Sequence, residues 1–197
     1  DVELLADIGR RFKLHPLMLE DILNTKQRPK YEDFDDHLFA VLKMLRYDDK
    51  SHIVDIEQVS FVLGDRFVLS FQEKHGDVFD PIRTRLREGK GRIREMDAAY
   101  LLYALIDAVV DNYYVVIEGL GDQIDAVESE VMSHPEPQTL RTIHRLRAAL
   151  LTIKRALWPL RDIAGYLQRG DSRLSSEAVQ VYYRDVYEHT VQVLEMV

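Results

Sequence analysis

The chain contains no cysteine, which excludes thiolate metal sites, thiol nucleophiles and disulfide bridges. It has no glycine-rich phosphate loop, no His-Glu-x-x-His pair, no nucleophile elbow and no EF-hand pattern, so the common enzyme templates fail. Its seven histidines are scattered without ligand spacing. No uninterrupted apolar run reaches the roughly 18 residues that span a bilayer, and the nearest, Ala98 to Val110, is broken by Asp107. No secretory signal pattern is visible at the start. Basic residues are absent over one long stretch, with no Lys or Arg between Met96 and Leu140.

What remains is an acidic chain of 197 residues with 46% apolar and 30% charged residues. That composition is ordinary for a soluble globular protein and leaves room for one large domain or two small ones. A net charge of −8 disfavours a nucleic-acid partner and favours cations as counter-species. The lack of cysteine agrees with a cytosolic setting. The chain opens at Asp1 inside a helical pattern (VELLADIGRRF) and stops at Val197 with a helical period still running. Both ends read as cut, as in a fragment.

One stretch, His15 to Glu32 (HPLMLEDILNTKQRPKYE), reads as a short helix and its exit. Pro16 suits a first helical position. Met18, Leu19, Ile22 and Leu23 fill one arc with Leu17 at its edge, and Glu20 and Asp21 lie on the other side. Arg28-Pro29 takes the chain out of the helix. Two adjacent carboxylates therefore sit on the outer flank of an anchored helix, either as its solvated face or as part of a metal site.

Val2 to Phe12 reads as a helix before this stretch. After it, His37 to Tyr47 and Ile53 to Leu63 read as strands, the second with alternation at Val59, Phe61 and Leu63. Gly64-Asp65 predicts a two-residue hairpin turn into a return strand, Phe67 to Phe71. Asp80-Pro81 predicts a helix opening with Asp80 as its cap, closed at Gly89-Lys90-Gly91. From about Met96 the pattern is heptad-like. Ile106, Val110, Tyr113, Ile117, Leu120, Ile124, Val127 and Val131 form one seam, Ile143 to Leu167 a second and Val179 to Val197 a third. His134-Pro135 separates the first two, which predicts a long antiparallel hairpin, and Gly170 separates the third. Nine acids, Asp97, Asp107, Asp111, Glu118, Asp122, Asp125, Glu128, Glu130 and Glu136, face seven basic residues and the single acid Asp162 between Arg141 and Arg169. Opposite charge across the hairpin is expected to set its register, or to concentrate cations.

The carboxylates are the only groups that could carry chemistry, and carboxylate oxygens suit Mg²⁺, Ca²⁺ or Mn²⁺ rather than soft metals. Asp107 interrupts AAYLLYALIDAVV, a segment apolar nearly all round, and must find a proton, a cation or a hydrogen bond there. Asp111 lies four residues on, where like charges repel unless a cation neutralises them. Asp185, in VYYRDVYEHT, lies off the main seam on a flank with Val181 and Gln192. An ion pair with Arg184 or Arg161 accounts for it equally well. His189, four residues after Asp185, reads as a lone surface histidine, with co-ligation of a transition metal as the alternative.

HPLMLEDILNTKQRPKYE, VLKM, FQEKHGDVFDPIRTRLR, YLLYALIDAVVDNYY, ALWPLRD and YYRDVYEHT, in this order and spacing, resemble the cytoplasmic domain of the CorA magnesium transporter family. The resemblance runs over nearly the whole chain. It implies an α+β fold: an α/β/α sandwich with a mixed, largely antiparallel sheet, then a long antiparallel helical hairpin and the start of a stalk helix. The expected divisions are 1–95 for an N-terminally truncated sandwich, 96–170 for the hairpin and 171–197 for the stalk. The membrane spans and the family's Gly-Met-Asn pore motif would lie beyond Val197.

The resemblance further implies a homopentameric Mg²⁺ channel on the inner membrane of the cell, with Co²⁺ as a second substrate or surrogate. This region would be its cytoplasmic regulatory part and not an enzyme. Regulatory divalent-cation sites between subunits would fall on Glu20, Asp21, Asp107 and Asp185. Asp21 of one subunit would face Asp185 of the next across one ion, and Glu20 and Asp107 would serve a second. Lys26 stands where some relatives have a histidine, so a ligand at that position is lost. Two other readings stay open: the same domain of a cobalt- or zinc-transporting relative, and a helical scaffold module whose acids serve only solubility and helix pairing.

Overall fold

The computed structural model describes residues 2–48, 53–133 and 137–197. In chain order it contains α1 (Val2–Phe12), α2 (Pro16–Leu23), β1 (Lys30–Asp33), β2 (Leu38–Asp48), β3 (Ile53–Gly64), β4 (Phe67–Gln72), α3 (Asp80–Glu88), α4 (Ala98–Ser133), α5 (Pro137–Arg169) and α6 (Glu177–Glu195). The four strands form one sheet in the order β1-β2-β3-β4, with every neighbouring pair antiparallel.

Side-chain alternation gives this sheet two apolar faces. Leu38, Ala40, Leu42 and Met44 of β2 and Val59, Phe61 and Leu63 of β3 join the core that holds α3, α4, α5 and α6. Phe39, Val41 and Val62 point the other way and pack with Leu14, Met18, Leu19 and Ile22 around α2. Helices thus cover both faces, the α/β/α layering expected from the sequence. Within α2, Met18 is fully buried, but Leu17 and Leu23 are about half exposed. The apolar arc is narrower than its residue types imply.

Three local expectations shift. The hairpin turn is Asp65-Arg66, because Gly64 pairs with Phe67 as the last residue of β3. Gly64 leaves room there for the Phe67 ring, which a Cβ at that position would force to shift. At α3, Asp80 is the first helical residue and Phe79 the cap position. Asp77 does the local work instead, accepting from the Phe79 N–H at 2.9 Å and from Arg83 at 2.7 Å. The Arg83 guanidinium holds the Asp77 carboxyl down at about 2. Finally, β1 follows Pro29 as a short strand that the sequence pattern did not mark.

The break at His134-Pro135, and Glu136 with it, lies outside the described residues. On either side of it α4 and α5 run antiparallel, with Thr139 donating to Glu130 and Leu120 lying beside Leu146 and Ala149. Among the described residues no ion pair joins α4 to α5. The described contacts across this pair are apolar packing and that one hydrogen bond, not ion pairs. Their seam is closed at Ile106, Val110, Tyr113 and Leu120 but opens towards Ile124 and Val131, which are 39% and 42% exposed. There it forms an apolar groove bordered by Ile143, Leu150 and Val197.

By length and composition alone α4 could cross a bilayer, contrary to the expectation from uninterrupted runs. Its apolar residues Leu102, Leu105, Ile106, Val109 and Val110 are buried against the sheet and the other helices, as in a core helix. Side-chain bonds to the backbone fix where α4 lies on β2. Asn112 donates to the Leu45 carbonyl at 2.5 Å, Tyr113 to that of Lys43 at 2.8 Å, and Tyr47 to that of Gly119 at 3.1 Å. Burial pushes the Tyr113 hydroxyl pKa up, so it stays protonated and donating. Tyr183 likewise donates from α6 to the Ala99 carbonyl at 2.8 Å.

Tyr113→Phe keeps the ring and removes the hydrogen bond that this fully buried side chain makes to the Lys43 carbonyl. It should lower unfolding free energy by about 1–3 kcal/mol, read as a lower urea midpoint with an unchanged slope. No change in midpoint would show that the Lys43 carbonyl finds another partner.

Candidate metal centre

Asp107 projects from the first third of α4, where the helix lies between β2 and α6. Asp111 lies one turn further along α4, and His189 reaches the same place from α6. The ligand atoms of Asp107, Asp111 and His189 all lie within 4.8 Å of one another. His189 Nδ1 is 3.8 Å from Asp107 Oδ1, and its Nε2 is 3.7 Å from Asp185 Oδ1. Both contacts exceed hydrogen-bond length. Asp107 Oδ1 and His189 Nδ1 are buried and make no hydrogen bond. The other carboxylate oxygen, Asp107 Oδ2, accepts weakly from the Tyr103 hydroxyl at 3.4 Å.

An orphaned carboxylate oxygen facing an orphaned imidazole nitrogen is a costly arrangement. Burial pushes the Asp107 carboxyl up to about 6, reinforced by the charges of Asp111 and Asp185 and opposed by His189 and Tyr103. Burial and the neighbouring Asp107 charge also push the Tyr103 hydroxyl up, so it remains a donor. A divalent cation placed among these groups would satisfy both orphaned atoms and cancel the repulsion between the carboxylates. The donor set of carboxylate oxygens plus one imidazole fits Mg²⁺ through the oxygens, and Co²⁺ or Zn²⁺ through the nitrogen as well.

The four acids marked in the sequence fall into two groups. Asp107 and Asp185 come together, bridged by His189. Glu20 and Asp21 sit on α2, which packs on the opposite face of the sheet. Glu20 is exposed, and Asp21 pairs with Lys30, its Oδ2 lying 2.7 Å from the ammonium nitrogen. Asp185 pairs with neither Arg184 nor Arg161: Arg184 lies 3.7 Å from Glu188, and Arg161 is 3.0 Å from Asp162. Asp111 and His189 belong to the cluster but were not among the expected ligands. Their i, i+4 spacings from Asp107 and Asp185 were the available signal.

The family model described as CorA-like Mg2+ transporter protein matches residues 1–197. The chain belongs to the CorA family. It is 46% identical over 195 residues to the cobalt/magnesium transport protein CorA of Thermotoga maritima, covering 99% of this chain and 56% of that sequence. It superposes on the complete CorA magnesium transporter of Methanocaldococcus jannaschii with a TM-score of 0.86 at 18% identity, covering 100% of this chain and 61% of that one. Full-length CmaX gives a TM-score of 0.82 at 25% identity, over 98% of this chain and 59% of that one. The chain therefore spans only about 56–61% of the length of these CorA-family relatives.

A carboxyl whose folded pKa is raised makes the folded state bind more protons than the unfolded one. The resulting penalty is absent below the unfolded value near 3.8, grows with pH, and is complete above about 6. In chelator, Asp107→Asn should therefore stabilise the chain at pH 7 by about 2–3 kcal/mol and flatten its stability between pH 4 and 6. Urea unfolding across that range checks both. Equal slopes for the two proteins would mean that Asp107 titrates normally.

Proposed function

We propose that this chain is the cytoplasmic metal-sensing region of a homopentameric divalent-cation transport channel at the inner membrane, and not an enzyme. Divalent cations held by carboxylates would stabilise the closed state, and their loss would favour opening. The observation that carries this reading is the pair of unsatisfied buried atoms, Asp107 Oδ1 and His189 Nδ1, beside Asp111 and Asp185. A fold has no reason to gather three acids around an unpaired imidazole unless something cationic compensates them. Membership of the CorA family agrees with this. The naming of the Thermotoga maritima relative for cobalt and magnesium supports Mg²⁺ and Co²⁺ as the ions.

Glu20 and Asp21 enter the same proposal through a second subunit. Within one chain the sheet separates them from Asp107 and Asp185, so an ion shared between the two groups needs α2 of a neighbour. Asp21 of one subunit would then face Asp185 of the next, and Glu20 would approach Asp107. Carboxylates opposed in this way repel when no ion is present and clamp when one is bound, mostly through waters where the ion is Mg²⁺. The ion shifts the gate only by its preference for the closed state. We propose the same working divisions as the sequence reading: residues 1–95 as sandwich, 96–170 as hairpin and 171–197 as the beginning of a stalk.

The imidazole of His189 favours a second reading, in which Co²⁺ or Zn²⁺ rather than Mg²⁺ is the preferred ion. One experiment ranks the ions and tests the site. Thermal unfolding is followed in Mg²⁺, Co²⁺, Zn²⁺ and Ca²⁺ for this chain and for Asp107→Asn with Asp185→Asn, with mass measured in the same solutions. A ligand that binds only the folded state stabilises by RT ln(1 + [L]/Kd), about 2.7 kcal/mol at a hundredfold excess over Kd. The expected result is a metal-dependent rise in Tm that the double variant loses. A rise of equal size in both proteins would remove the cluster from the mechanism, and no rise in an assembled sample would favour the scaffold reading.

A further inference from the structure

Asp21 is already held by a cation that belongs to the chain. Lys30 opens β1, and its side chain points to the α2 side of the sheet. Tyr31, the next residue, points to the other side and stacks on Tyr166 at 4.0 Å. By the same alternation Glu32 shares the face of Lys30. The Lys30 ammonium lies 2.7 Å from Asp21 Oδ2 and 2.8 Å from Glu32 Oε1. The Asp21 side chain is 18% exposed, that of Lys30 32% and that of Glu32 36%. The backbone beneath is fixed as well, since the Asp21 carbonyl accepts from Gln27 at 2.5 Å and from Gln58 at 3.1 Å. The carboxylate is therefore placed by the fold while one of its oxygens is occupied by an ammonium on a flexible stem.

We propose that Lys30 is a tethered competitor for the divalent cation at Asp21 and sets the concentration at which that ion binds. The inference depends on the reading of Asp21 as a ligand given above. A hard dication and an ammonium cannot both hold one carboxylate without repelling each other. Entry of the ion must therefore release Lys30 from Asp21. Glu32, already at hydrogen-bond distance, keeps the released ammonium paired. The exchange swaps one charge-assisted contact for another without stranding a charge. A site built this way answers only to a cation that outcompetes a neighbour permanently at hand, which raises its threshold without altering the ligands. Glu32 tunes the threshold in the opposite sense, because it is the alternative partner that makes release easy.

The test is a Mg²⁺ titration of the assembled chain, Lys30→Met, Glu32→Gln and Asp21→Asn, with mass measured in the same solutions to establish assembly, read as the midpoint of the binding isotherm so that differences in basal stability do not enter. Lys30→Met should lower the midpoint about three- to tenfold, and Glu32→Gln should raise it. In the unmodified chain, saturation with Mg²⁺ should also increase acylation of Lys30 by a succinimidyl ester, seen by peptide mass spectrometry. Asp21→Asn should abolish that increase. If Asp21→Asn weakens binding while Lys30→Met leaves the midpoint unchanged or raises it, the competitor role is overturned and Asp21 remains a ligand. If Asp21→Asn leaves binding unchanged, or Lys30→Met shows no Mg²⁺ response, the reading of Asp21 as a ligand fails and the inference goes with it.

Discussion

Everything in this structure depends on β2 and β3 being buried on both faces. They pair over their full length, from Leu38 with Leu63 to Asp48 with Ile53. From Leu38 to Leu42 and from Phe61 to Leu63, successive apolar side chains enter alternate cores. That requirement places α2 on one side and α4 with α6 on the other, and so decides which acids can meet. Asp107 and Asp185 share a face, whereas Glu20 and Asp21 do not. The register also matters: a slip of one residue between β2 and β3 would carry Phe39 and Val41 to the wrong layer and dissolve both cores. The geometry of the Asp107–His189 cluster is thus inherited from a sheet that contributes no residue to it.

The strands and the long helices were legible in the sequence because the strands are long and apolar and the helices keep a steady seam, whereas the α/β/α layering was expected only from the family resemblance. The long seams also predicted α4, α5 and α6 close to their observed limits. The sequence did not reveal β1, whose four residues, KYED, carry no apolar alternation and are only partly buried. As an edge strand directly after Pro29, β1 needs little of the usual signal, since one side of its ladder faces no neighbour. Gly64 misled for a different reason. A glycine beside an aspartate reads as a turn, yet here it makes space for the Phe67 ring. The opposed charges of the hairpin read as a register device but among the described residues make no ion pair across it, in keeping with how little exposed side chains in water gain from pairing.

At the candidate site, the unusual residue was legible and its partners were not. Asp107 stood out because a carboxylate in an apolar helix violates the local pattern, and such violations mark places where function overrides packing. Asp111 and His189 carried only the weaker signal of their i, i+4 spacings, which marked a possible cation neighbour and a possible co-ligand without placing them together. An aspartate one turn from another, or a histidine one turn from an aspartate, is common on helix surfaces. Only the crossing of α4 with α6 turns two ordinary spacings into one cluster. That crossing is itself tied by hydrogen bonds, Tyr183 to the Ala99 carbonyl at 2.8 Å and Tyr114 to the Gln192 side-chain oxygen at 2.9 Å.

The two acid groups are neutralised in different ways, and the difference bears on how such a protein could respond to an ion. At Asp21 the compensating charge is covalently attached, so its local concentration is fixed by the fold and independent of the solution. At Asp107 no Lys or Arg ammonium or guanidinium is paired with the carboxylate among the described residues, and burial instead raises its affinity for a proton. A site compensated by a tethered charge resists exchange, while one compensated by a proton or an imidazole is readily taken over by a dication near neutral pH. If ions are to bind both groups across a subunit boundary, one at Asp21 with Asp185 and a second at Glu20 with Asp107, the Asp107 site would supply the driving force and the Asp21 site would set the threshold. Splitting the roles keeps the ligands simple, since neither half needs a preformed cage, and it lets a single Lys–Asp contact adjust sensitivity without disturbing the core that holds Asp107 in place.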